Sequence, residues 1–206
     1  MHTHDDALVW VARGTALLMP TVAALDEQAI SEPSGLPGWT RKHLVAHVAA
    51  NADALGNLVH WARTGEQTPM YASPEQRNAD IESGSKLAAD KLAAWLARSA
   101  EALAEAMAAL DDDHWRSEVV TAQGRTVPAT QIPWLRAREV CVHAVDLGTG
   151  ITFADLPEDF LAALVADVAA KRELGDVPTG PLPEVAAYLA GRSHSLAGVP
   201  DLGRWL

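Results

Sequence analysis

The stretch REVCVHAVDLG, residues 138–148, places a carboxylate, Glu139, four residues before an imidazole, His143, in an otherwise apolar, alanine-rich segment. On a helix of about 3.6 residues per turn, positions i and i+4 share one stripe, so both side chains point the same way. Asp146 follows one turn further along it. Two Lewis bases on one stripe can be half a metal site, an ion pair or a surface pair. A second pair has the same spacing: His43 and His47 in KHLVAHVAA. His47 is flanked by Val45, Ala46, Val48, Ala49 and Ala50, which puts it deep in an apolar segment. His43 stands beside Arg41 and Lys42 and is expected nearer solvent. Two imidazoles and one carboxylate are a usual ligand set for a catalytic zinc, with a fourth position left open. His47, Glu139 and His143 could form that set if their helices are neighbours. The sequence has no CxxC or HExxH pattern to decide between a metal site and hydrogen-bonded core histidines. His2 and His4 are expected as loose terminal residues, and His60 and His194 have no obvious partners.

These residues need elements to position them. Residues 4–29 carry Leu8, Val11, Leu18, Val22 and Leu25 at helical spacing, with Pro20 expected to kink or break the helix. SEPSGLPGWT reads as a loop. Thr40 is a good N-cap for a second helix that runs to a stop at Gly65. A third helical pattern runs from Glu75 to about Leu110, with Gly84 as an interruption, and DDD at 111–113 ends it. SEVVTAQGRTVP, residues 117–128, predicts a short β-hairpin with Gly124 in the turn. The helix holding Glu139 and His143 follows, from about Ala129 to Leu147. Four long helices with short connections favour an antiparallel bundle. Bundles of this kind build metal sites from facing helices. The sequence therefore divides into residues 1–150, a bundle with a hairpin before its fourth helix, and residues 151–206, a short helical segment expected to pack on it. In that segment PEDFLAALVADVAAKREL and LPEVAAYLAGR read as helices around the Pro/Gly-rich DVPTGPLP.

The chain has 206 residues, 49% hydrophobic and 21% charged, as expected for a globular protein. It has no apolar run long enough for a membrane span, and MHTHDDALVW lacks the pattern of a secretory signal. The single cysteine, Cys141, excludes an internal disulfide and fits a reducing cytoplasm. A formal net charge of −11 disfavours nucleic-acid and membrane partners. It also means that an anionic substrate needs a locally positive pocket.

LPGWTRKHLVAHVAANADAL at 36–55, with IPWLRAREVCVHAVDLG at 132–148, resembles the mycothiol-dependent maleylpyruvate isomerase family, part of the DinB-like group of metal-binding four-helix bundles. MYASPEQRNADIESGS and WRSEVVTAQGRTVPA resemble that family's loop into the third helix and its connection into the fourth. The resemblance implies a mostly α fold: a DinB-like antiparallel four-helix bundle with a small, reduced C-terminal segment. It places the metal ligands on His47, Glu139 and His143, with Zn2+ as the metal; the same set would also bind Ni2+ or Fe2+. It implies mycothiol as a thiol cosubstrate and a small anionic substrate, maleylpyruvate or a similar cis-enedione acid. The implied reaction is thiolate addition, rotation and elimination to fumarylpyruvate. LAGR, 189–192, is similar to the segment that carries the family's catalytic arginine, which makes Arg192 the counterpart. The strands expected between residues 175 and 183 are reduced to DVPTGPLP.

Developing enolate charge and a dianionic substrate both need a cation, which Arg192 or Arg77 could provide; Arg192 reads equally as a helix C-terminal arginine complementing the macrodipole, and Arg77 reads first as a solvated first-turn arginine. Asp146 could orient His143 or cap the helix end near Gly148. Cys141 points about 160–200° away from both ligands on its helix and reads as a small buried apolar residue. Two other functions use the same parts: a mycothiol S-transferase, and a non-enzymatic metal-binding protein. The chain is expected as a monomer or homodimer.

Overall fold

The computed structural model describes residues 2–205. Helix α1 (His4–Ala23) is capped by Thr3, whose hydroxyl accepts from the Asp6 N–H while the Thr3 N–H donates to the Asp6 carboxylate. The helix runs through Pro20 and stops at Ala23, short of the expected residue 29. The rest of the pattern forms the separate one-turn helix α2 (Glu27–Ser31), capped by Asp26. Proline removes one helical N–H and leaves a weak last turn.

Helix α3 (Arg41–Thr64) begins after Thr40 and ends at Gly65, which takes the left-handed conformation at φ +76°. The third helical pattern is two helices, α4 (Pro74–Gly84) and α5 (Ala89–Ala108). The interruption at Gly84 has a steric reason as well as a conformational one. A Cβ there would sit 2.7 Å from the Trp95 ring and 2.8 Å from the Ala46 Cβ, so only glycine lets α4 approach α3 and α5 this closely. A short turn of helix, α6 (Asp112–Arg116), precedes the hairpin. Strands β1 (Glu118–Val120) and β2 (Thr126–Pro128) pair antiparallel, Val119 opposite Val127, around Gly124 at φ +74°. Helix α7 (Ile132–Asp146) follows.

The bundle is α1, α3, α5 and α7, with α3 packed on α5 and α7, and α1 on α7 and α5. The two helices carrying the candidate ligands, α3 and α7, are thus neighbours. Gly14 lets α1 close on α7, since a Cβ there would meet Cys141 Sγ and Val140 at 2.6 Å. Cys141 is buried on that side, with its sulfur 3.7 Å from the Trp10 carbonyl oxygen and its thiol pushed up by burial to about 12.

Helices α8 (Glu158–Lys171) and α9 (Leu182–Leu189) share one core with the bundle: Phe160, Leu164 and Val185 cluster with Trp10, Val140 and Leu147. The segment between them forms no strand. The terminal stretch is tied down by side chains. Arg172 donates to the Leu202 and Gly203 carbonyls at 2.5 and 2.7 Å, and Arg204 donates to the Gly35 carbonyl at 3.0 Å. His2 and His4 are not loose: their rings pack on Trp134 at 4.4 Å and Trp115 at 4.3 Å. Among the described residues, no helix is long and apolar enough to cross a membrane.

Candidate metal centre

Helices α3 and α7 are held in register beside the site by arginines. Arg136, one turn before Glu139 and fully buried, donates to the Val48 carbonyl at 2.7 Å and to Asn51 Oδ1 at 3.0 Å. Desolvation lowers its pKa to about 10. At the other end, Arg41 donates to the Leu147 and Gly148 carbonyls at 2.7 and 3.1 Å, tying the start of α3 to the end of α7. The Gly35 N–H donates to the Asp146 carbonyl at 2.6 Å, which docks the Leu-Pro-Gly-Trp loop on the same end. That loop delivers Trp39, whose ring meets His47 edge-on at 5.5 Å.

On this frame His47, Glu139 and His143 each offer a ligand atom, and the three atoms lie within 4.8 Å of one another, the one such group among the described residues. The Nε2 atoms of His47 and His143 stand 3.0 and 3.3 Å from Glu139 Oε2. Ligand atoms bound tetrahedrally at about 2.0–2.1 Å lie roughly 3.3 Å apart, so these two separations suit one small ion. Glu139 Oε2 is buried and makes no well-aligned hydrogen bond, its contacts being the two imidazole nitrogens. A buried carboxylate oxygen without a donor is costly. A cation among the three atoms would remove that cost, so the residues fit a divalent metal.

Their protonation is set by the surroundings. Burial lowers the His47 pKa more than Glu139 raises it, so that ring is neutral at pH 7. Burial works against the Glu139 carboxylate, but the imidazoles of His143 and His47 outweigh it and hold the group well below the usual carboxylate range. Burial also opposes a charged His143, yet Asp146 and Glu139 push its pKa up to about 9. Asp146 Oδ2 lies 2.8 Å from His143 Nδ1. Desolvation notwithstanding, His143 and Arg192 hold Asp146 at about 2.

The remaining expected residues fall on two sides. Arg77 Nη2 stands 3.2 Å from His47 Nδ1 and lines the cavity onto which His47 and Glu139 open. Arg192 does not line that cavity. It grips Asp146 with two N–H groups, at 3.1 and 2.7 Å, on the far side of His143. His43 is part-buried, its Nδ1 2.7 Å from the Thr40 hydroxyl at the start of α3. The cavity, about 340 Å³, has a wall that sequence reasoning missed: Arg125 from the hairpin, Arg138 from α7, Lys171 from α8 and Trp205 from the terminal stretch. Only the general need for a positive pocket in an acidic chain pointed to it.

Residues 11–148 match the sequence model of the mycothiol maleylpyruvate isomerase N-terminal domain. The chain belongs to this family. A crystal structure of the mycothiol-dependent maleylpyruvate isomerase is similar with a TM-score of 0.90 and 40% identity, covering 100% of both chains. That of a histidine-to-alanine mutant gives 0.89 and 39%, again over 100% of both chains. No curated protein matches the chain. The likeness to these solved isomerases thus takes in the C-terminal segment as well as the bundle.

Proposed function

We propose that the chain is a zinc- and mycothiol-dependent cis–trans isomerase that converts maleylpyruvate, or a similar cis-enedione acid, to fumarylpyruvate. The observation that carries this reading is the convergence of His47, Glu139 and His143, the first two of them open to a cavity walled by cations, in a member of this family. These three side chains are the proposed ligands, with one coordination position left open. A bound divalent cation would supply a thiol kept as thiolate at neutral pH. The overall chemistry is sulfur addition to one alkene carbon, rotation about the resulting single bond, and loss of the sulfur to give the trans alkene.

The chain's own residues do the rest. Asp146 keeps a proton on His143 Nδ1, so Nε2 is the nitrogen that ligates once its own proton has left. Arg192 fixes Asp146 from behind with two hydrogen bonds, so it acts as a positioning residue through Asp146 and His143. Arg77 can donate to His47 Nδ1 only while the proton is on Nε2. With His47 Nε2 engaged as a ligand, that proton moves to Nδ1, and the Arg77 guanidinium becomes available to a substrate carboxylate or a developing enolate oxygen. Cys141, buried against α1, offers no internal thiol. The domain division proposed is a metal-binding bundle over residues 1–150 and a helical segment over 151–206 that buttresses His143 through Arg192.

A turnover assay tests the reading. Maleylpyruvate absorbance should fall when mycothiol is present in catalytic amount, with the thiol recovered. A stoichiometric thiol adduct in the mass spectrum would make the chain an S-transferase. No change with either would leave a metal-binding protein without this activity.

A further inference from the structure

The cavity has a second corner that the ligand set does not use. Arg138 is next to Glu139 in sequence, about 100° round α7, and lines the same cavity. Its side chain is only 9% exposed, and its charge is poorly compensated. Nη1 reaches Asp167 Oδ2 at 3.5 Å, but Lys171 Nζ takes that same oxygen at 2.6 Å. The Arg138 Nε is buried with no partner. Trp205 lays its ring 5.0 Å from the Arg138 guanidinium and 5.4 Å from the Lys171 ammonium, and Trp134 lies 5.8 Å from Arg138. Two cations therefore share one directly paired carboxylate, Asp167, against indole walls, with the Glu139 carboxylate acting on Arg138 from further off. Exclusion of water by those walls strengthens attraction for a further anion. A desolvated guanidinium at a cavity wall attracts an anion, and a carboxylate is the acceptor whose planar geometry it matches.

We propose that Arg138, with Lys171 beside it and Trp205 as its wall, is an anion-binding corner that takes the second carboxylate of a dianionic substrate. Arg77, beside His47 on the same cavity, takes the first. The corner thereby selects dianions over monoanions of the same length. Naming that dianion as maleylpyruvate rests on the isomerase reading; the preference for two negative charges does not.

The test uses heptanedioate, an unreactive seven-carbon dianion, and its monomethyl ester, titrated into metal-loaded protein by calorimetry. The wild type should bind the dianion about tenfold more tightly than the monoester. Arg138→Gln should erase that preference while monoester affinity and metal content stay as they were. Arg138→Lys should keep part of it, and Lys171→Gln should reduce it severalfold. A folded Arg138→Gln protein that still prefers the dianion as the wild type does would overturn the proposal. If Arg138→Gln does not fold, an undiminished preference in both Arg138→Lys and Lys171→Gln overturns it equally. Failure of the isomerase reading looks different: the wild type would leave maleylpyruvate unchanged while its Arg138-dependent preference for the dianion persisted.

Discussion

At the residue scale, the three proposed ligands start from different protonation states, and this has a consequence for metal binding. At neutral pH Glu139 is ionised and His47 is neutral, both ready to ligate. His143, with its pKa near 9, still carries a proton on both nitrogens and must lose the one on Nε2. Metal binding at pH 7 is therefore expected to release about one proton, and affinity should rise about tenfold per pH unit until pH approaches 9. Calorimetry in buffers of different ionisation enthalpy measures both. In the metal-free protein the same shift acts on stability. The His143 contribution is full below its unfolded value near 6.5 and is lost as pH rises through about 9. Asp146 contributes above its unfolded value near 3.8, and that is lost as pH falls through about 2. Asp146→Asn removes the carboxylate that orients His143 and pairs Arg192. It should weaken metal affinity by about 10–100-fold and lower the upper stability limit, read by competitive chelation and by denaturation across pH. His47, Glu139 and His143 were legible because i,i+4 spacing and apolar flanks mark a helix face. Arg138, Lys171 and Trp205 were not, because only the tertiary fold brings α7, α8 and the terminal stretch to one wall.

At the scale of elements, the local signals that end or start helices were readable where one residue dictates backbone geometry. Gly65 in the left-handed region and Gly124 in the hairpin turn are of this kind. Pro20 announced a disruption, but the helix persists for three residues beyond it, because its last turn has little left to lose. The role of Gly84 was only half legible. The sequence showed a weak point in a helical pattern; that Trp95 and Ala46 fill the space where its side chain would be depends on packing between three helices. Gly84→Ala must push α4 away from Ala46, the neighbour of His47. A loss of about 1–3 kcal/mol in urea denaturation is expected, the cost typical of overpacking. A change within experimental error would show that α4 shifts freely.

On the scale of the whole molecule, a chain with a net charge of −11 gathers Arg77, Arg125, Arg138 and Lys171 around one cavity. Excess negative charge elsewhere sets that cavity apart as a site where a small anion is favoured, and the proposed ligands His47 and Glu139 open onto it. The C-terminal segment joins this arrangement from two directions: Arg192 supports His143 through Asp146, while Lys171 and Trp205 close the cavity. The bundle and its hairpin were evident from periodicity. Of the last fifty residues only Arg192 was marked, by resemblance; Lys171 and Trp205 were not, since they meet the cavity from far away in sequence. The arrangement is proposed to hold a cation between two helices, and elemental analysis of purified protein tests that directly. The wild type should carry about one divalent metal ion, zinc, per chain, and His47→Ala and Glu139→Ala should each lose it while remaining folded. Wild-type protein that takes up no divalent metal, or variants that keep it in full, would contradict the account.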